Sequence, residues 1–276
     1  MNTARTSSAP FLTPAADWLT HQLTSGKTQF GAFLPAGFPT PRSDVIALRL
    51  FADRGATILE VGIPTEEAIY DGPLITAAYR EALRRGTRVA DVLDTVHRAA
   101  TTTDASVVVM TYWNPVQAYG VTRFATDLAN AGAAGAMIVD LPPSEAPAWA
   151  AAARTVGIHA PRLAARTAAP GELEHLAATA TGWLYAPAAA TRTGYTGDLD
   201  VPALQAFTER LRAAGSAPVV TGIGVSTPEK AAQIRHLVSG VVVGTPVVKP
   251  LLELGGSQGL RAAADQVEAF ARALRP

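Results

Sequence analysis

From end to end the chain alternates between short apolar runs and amphipathic stretches, and this rhythm constrains the fold more than any single motif. Eight runs read as strands, at about 29–37, 56–64, 105–112, 135–142, 159–165, 182–187, 217–223 and 240–245. They are rich in β-branched residues and lack strict in–out alternation, as strands covered on both faces do. Helical patterns lie between them. SDVIALRLFADRG (43–55) and ALQAFTERLRAAG (203–215) space apolar residues for a helix and stop at Gly55 and Gly215. STPEKAAQIRHLV (226–238) opens with Ser226 as the expected N-cap, with Pro and Glu in its first turn. The second connection holds two helical stretches, near 74–85 and 88–101, and an extra helix at about 14–25 precedes the first strand. Eight strand–helix units predict an α/β fold of the (β/α)8 TIM-barrel type with an extra N-terminal helix. No Pro/Ser-rich linker divides the 276 residues, so the chain reads as one domain over 1–276, with 1–13 expected to be flexible.

Composition narrows the chemistry. There is no cysteine, which excludes disulfides, a thiolate nucleophile and Cys-ligated metal. A net charge of zero gives no reason to expect nucleic acid or an anionic membrane as partner. The start lacks the apolar core of a signal peptide, and Lys249 and Pro250 break the longest apolar run, so a soluble cytoplasmic protein is expected.

A barrel places its chemistry at the C-terminal ends of the strands and in the loops after them. The stretch ILEVGIPTEEAIYDGP (58–73) sets Glu60 inside the second apolar run and Asp71 in the loop behind it. Desolvating a carboxylate is costly, so a buried Glu is either a paired structural group or a functional one. Asp140, ending the fourth run in MIVDLPP, has two readings, a substrate contact or an N-cap for the helix after Pro142. Glycine clusters TGYTG (193–197), TGIGVS (221–226) and GVVVGT (240–245) follow the last three strands. Exposed backbone N–H groups and a helix N-terminus there suit a phosphate, with Gly197, Gly224, Gly244 and Thr245 as expected contacts.

Other reaction types find little support. Schiff-base chemistry needs a lysine in the barrel mouth. The only lysines are Lys27, before the first strand, and Lys230 and Lys249, in the last two barrel helices. The five histidines fall in helices or at the N-terminal end of the fifth strand, so neither a metal nor another cofactor is expected. What remains is acid–base catalysis by Glu60 and Asp71.

The series GAFLPAGFPTP (31–41), LEVGIP…DGP (59–73), MTYWNP (110–115), VDLPP (139–143), TGYTG, TGIGVS and GVVVGTPVVK (240–249) resembles the tryptophan synthase α subunit, from about residue 14 to the C-terminus. Similar stand-alone lyases form indole from the same substrate. The resemblance implies cofactor-free retro-aldol cleavage of indole-3-glycerol phosphate, or a close analogue, to indole and glyceraldehyde 3-phosphate. It implies that Glu60 protonates indole C3 and takes the glycerol hydroxyl proton, while Asp71 holds the indole N–H. It matches Thr196 to the loop threonine that closes over the aspartate. It also matches Phe33, Met110, Tyr112 and Tyr185 to pocket-wall positions, residues that burial alone would assign to the core.

The departures cluster at the barrel mouth. The family loop between GIP and DGP carries an aromatic residue, then Ser-Asp-Pro. Here it reads Thr65-Glu66-Glu67-Ala68-Ile69-Tyr70, and the extra charge is expected to raise the Asp71 pKa or distort the loop. The loop after the sixth strand is about three residues longer than the family pattern and carries Arg192, and Arg166-Thr167 replaces a proline-containing turn after the fifth. The family's β subunit docks on the loops after strands two and six. A diverged paralogue, with weak or absent β-subunit binding and stand-alone activity, is therefore the expectation. An ordinary α subunit with a lineage-specific loop and a catalytically impaired binding partner are the alternatives.

Overall fold

The computed structural model describes residues 11–189 and 191–275. Eight parallel strands form one sheet: β1 (Gln29–Pro35), β2 (Ile58–Gly62), β3 (Ser106–Thr111), β4 (Gly135–Ile138), β5 (Arg162–Leu163), β6 (Leu184–Tyr185), β7 (Val219–Thr221) and β8 (Gly240–Val243). Their order, β4-β3-β2-β1-β8-β7-β6-β5, wraps round until a bridge between Gly135 and His159 brings β4 against the β5 edge. Each strand lies inside its expected run but is shorter.

The outer layer follows from the same alternation. The helices are α1 (Pro14–Thr24), α2 (Ser43–Asp53), α3 (Pro73–Arg84), α4 (Val89–Thr102), α5 (Trp113–Tyr119) and α6 (Val121–Asn130). Then come α7 (Ala146–Val156), α8 (Pro170–Thr179), α9 (Val201–Ala214), α10 (Pro228–Ile234), α11 (Thr245–Glu253) and α12 (Gly256–Leu274). With helices outside and packed side chains within, all residues of β1, β2 and β3 are buried, hence their unbroken apolar runs. The capping of α10 differs from expectation. Thr227, not Ser226, caps α10 by accepting the Lys230 N–H, so the Ser226 hydroxyl is left for another use.

The extra helix α1 plugs the N-terminal end of the barrel. Its Leu19 and Leu23 reach a small void bounded by Ile58, Val108, Trp183, Val220, Val242 and Glu60. The floor beneath Glu60 is therefore hydrocarbon. Of the segment 1–13 expected to be flexible, residues 1–10 lie outside the described residues. Thr13 is bonded at both ends: its N–H donates to Gly157 O at 2.8 Å, and its hydroxyl accepts the Ala16 N–H at 3.2 Å.

Candidate active site

β2 carries Glu60 between Phe33 of β1 and Val108 of β3, in register with both. Two residues on, Gly62 leaves space that a side chain would deny. A Cβ there would overlap the Phe33 ring and press on the Tyr79 hydroxyl. Phe33 can thus lean across the strand end, where it meets Tyr79 edge-on and forms one wall of a cavity of about 260 Å³. The cavity opens at the C-terminal ends of the strands, where the barrel topology places chemistry.

Glu60 and Asp71 both line it and are both buried, 6% and 4% exposed. Burial pushes the Glu60 carboxyl up to about 8, and the nearby charge of Asp71 adds to the shift. Asp71 is also raised by burial, to about 6, but hydrogen bonds from Tyr112 and Thr193 hold it down. Two carboxyls in one cavity thus titrate apart, so that near neutral pH Glu60 keeps its proton and Asp71 has lost its own.

The expected cause of the Asp71 shift is corrected by the geometry. Glu66 and Glu67 are exposed to solvent, and desolvation rather than like charge raises Asp71. The loop is held by its own hydrogen bonds. Thr65 Oγ1 accepts the Glu67 N–H at 3.3 Å, and Asp71 N donates to Ala68 O at 3.1 Å. Glu67 instead accepts from Asn114 Nδ2 at 3.3 Å, and its charge reaches Asp140, whose pKa is raised mainly by burial.

The expected site residues divide into three groups. Phe33, Met110, Tyr185 and Thr196 line the cavity, as do Gly224, Gly244 and Thr245. Tyr185 is fixed by the Ile223 N–H, which donates to its Oη at 2.8 Å. Tyr112 and Asp140 stand behind the wall. Tyr112 Oη donates to Asp71 Oδ2 at 2.9 Å, and Asp140 Oδ1 accepts the Trp113 N–H at 2.6 Å. Asp140 therefore caps the start of α5 rather than the helix after Pro142, where α7 has no side-chain cap. Gly197 lies outside the lining, packed beneath the Tyr195 ring.

Several lining residues escape sequence reasoning. Met137 and Leu163 sit at the inner strand ends, a position that parity along each strand could have revealed. Thr193 is the larger omission. The threonine that meets Asp71 is Thr193, whose hydroxyl donates to Asp71 Oδ1 at 3.3 Å and accepts the Gly72 N–H at 2.7 Å. Its own N–H donates to Tyr70 O at 3.1 Å. Lys249 lines the cavity although it is carried on a helix, α11, next to Glu253 at 3.8 Å. Among the described residues no cluster of three or more His, Asp or Glu side chains could hold a metal ion.

The opposite end of the cavity is built from backbone. Gly224, with φ of +99°, lets the loop after β7 pass close to Ala189 and Leu199 of the loop after β6. Gly244 and Thr245 stand at the N-terminus of α11, where the helix dipole favours an anion. The arrangement brings two buried carboxyl groups and the glycine-rich backbone at Gly224, Gly244 and Thr245 to one largely apolar cavity.

The family model for the tryptophan synthase alpha chain matches residues 19–275. The tryptophan synthase alpha chain of Streptomyces avermitilis is 37% identical, over 91% of this chain and 92% of its own length. That of Streptomyces coelicolor is 37% identical, over 90% and 93%. Among solved structures, Mycobacterium tuberculosis tryptophan synthase superposes with a TM-score of 0.85 at 34% identity, covering 98% of this chain and 100% of that one. The tryptophan synthase subunit alpha of Legionella pneumophila gives 0.84 at 28% identity, covering 94% and 98%.

Proposed function

The chain belongs to the tryptophan synthase alpha chain family, and from that premise we propose that it is a carbon–carbon lyase that cleaves indole-3-glycerol phosphate to indole and glyceraldehyde 3-phosphate. The observation that carries the reading is that two buried carboxyl groups, Glu60 and Asp71, line one cavity. Breaking a C–C bond to an aromatic carbon requires the ring to lose aromaticity first. Protonated Glu60 delivers its proton to indole C3, and ionised Asp71 accepts the indole N–H as positive charge develops there. The Glu60 carboxylate then takes the proton of the glycerol hydroxyl adjoining the ring. The electrons of the breaking bond return to the indole, the carbonyl of glyceraldehyde 3-phosphate forms, and Glu60 is again protonated. The apolar floor under Glu60 keeps its pKa high enough for the first step, and the Gly224, Gly244 and Thr245 cradle orients the phosphate.

The relatives are alpha chains and the solved neighbours are tryptophan synthases, which supports an α subunit working with a β partner over the stand-alone enzyme that the altered loops suggest. One observation favours the stand-alone reading. The loop after β6 is bonded to its own barrel, through Thr193 to Asp71 and Gly72 and through Arg166 Nη1 to Ala188 O at 2.7 Å. Ala68, in place of the family proline, also alters the surface that a β subunit would meet. Purified protein with indole-3-glycerol phosphate, assayed for indole while a β subunit from the same organism is titrated in, tests both levels. Indole release tests the activity, and the size of the stimulation decides the partnership. Among the described residues no helix is long and apolar enough to cross a membrane, and a cytoplasmic location goes with this reading.

A further inference from the structure

The lysine of α10 lies outside the cavity lining, yet it touches two of the loops that form the cavity. Lys230 Nζ donates to Thr196 O at 2.8 Å, to Gly197 O at 2.8 Å and to Ser226 Oγ at 2.9 Å. An ammonium has three protons, and these acceptors use all of them. Two belong to the loop after β6 and one to the loop after β7, and both Thr196 and Ser226 line the cavity.

We propose that Lys230 is a positioning residue for the phosphorylated end of the substrate, tying the loop after β6 to the glycine cradle and directing the Ser226 hydroxyl into the cavity. This inference rests on the phosphorylated substrate proposed above. Its chemistry follows from how each acceptor is used. A serine oxygen that accepts from an ammonium cannot aim its own proton there. Among the described residues the Ser226 hydroxyl donates to nothing, so its proton is free for an anion in the cavity it lines. Within a trans peptide the C=O and N–H point to opposite sides. Holding the Thr196 and Gly197 carbonyls on the Lys230 side therefore turns the Gly197 and Asp198 N–H groups away from it, and the bonded cation polarises both as donors. A glycine cradle supplies only partial charges. Lys230 adds a full positive charge behind it without occupying the space a phosphate needs.

The test uses the full chain with Lys230→Met and Lys230→Arg, and Lys230→Gln should the methionine variant fold poorly. Arg192 is exposed in the same loop, so trypsin cleavage after it reports on whether the loop is held. The expected result is cleavage at Arg192 at least fivefold faster in Lys230→Met, with rates near wild type in Lys230→Arg. Inorganic phosphate should slow cleavage of the wild-type chain and lose that effect in Lys230→Met. In turnover, KM for indole-3-glycerol phosphate should rise about tenfold with kcat changed far less, and the loss should be much smaller on the phosphate-free indole-3-glycerol. Equal cleavage rates with equal phosphate protection in the wild-type and Met variants would overturn the proposal. So would equal losses on both substrates. Failure of the wild-type chain to release indole would count against the lyase reading alone, since proteolysis with inorganic phosphate still reads out Lys230.

Discussion

The phenol of Tyr112 donates a 2.9 Å hydrogen bond to Asp71 Oδ2 and accepts the Tyr70 N–H at 3.1 Å. One fully buried side chain thus joins the end of β3 to the loop that carries the second carboxylate, and its ring stacks on that of Tyr70. The donation favours the ionised form of Asp71 and opposes the burial that raises its pKa to about 6. Tyr112→Phe should therefore move the acidic limb of the kcat/KM profile upward by roughly half to one pH unit. The loss of activity should be largest near pH 6 and smaller toward pH 8. An acidic limb that stays in place would remove Tyr112 from control of Asp71.

Opposite protonation states are needed at the two carboxyls, so the profile should be bell-shaped. Activity rises as Asp71 ionises around pH 6 and falls as Glu60 loses its proton around pH 8. Glu60→Gln should lower kcat by at least about a thousandfold, because the amide can neither give nor take the proton. A rate that holds steady to pH 10 in the wild type, or turnover by the Gln variant, would exclude Glu60 as the acid.

Glu60 should also limit stability in alkali. Its folded pKa, about 8, lies above its unfolded value of 4.5, so the folded state holds this proton more tightly. That contribution is fully present below pH 4.5 and is lost as the pH rises through about 8. At pH 7 it has already cost about 3 kcal/mol relative to acid, at 1.36 kcal/mol per pH unit. Glu60→Gln carries no such dependence. Thermal melts should find the variant close to wild type near pH 5 and several degrees more stable at pH 9. Parallel melting curves for both proteins across that range would contradict the burial argument.

Two threonines of the same loop should differ in effect. Thr193 meets Asp71 through its side chain, whereas Thr196 is held through its carbonyl by Lys230. Thr193→Val removes a hydrogen bond to a charged carboxylate, worth about 1.5–3 kcal/mol, and should reduce kcat/KM about tenfold or more. Thr196→Val leaves that contact in place and should cost less. Steady-state kinetics on the two variants settle the order, and a larger loss at Thr196 would show that the loop rearranges when substrate binds.

The barrel was legible in the sequence because it depends on local pattern. Strands covered on both faces must be apolar throughout, helices must repeat every three to four residues, and both signals survive without knowledge of contacts. Glu60 stood out for the same reason, as a charge inside an apolar run, and the glycines after the last strands marked where backbone could approach an anion. What only the tertiary structure decided are the pairings between distant segments. Thr193 and Asp71 lie 122 residues apart, and nothing local distinguishes Thr193 from Thr196 three positions on. Asp140 serves a helix that precedes it in the chain rather than the one that follows. Lys249 lines the cavity and Lys230 bonds to two loops because of where α11 and α10 pack in the folded chain, which periodicity does not encode. The pKa of Asp71 is set likewise by how much water the folded loop excludes, and the adjacent glutamates that looked decisive in the sequence point into solvent.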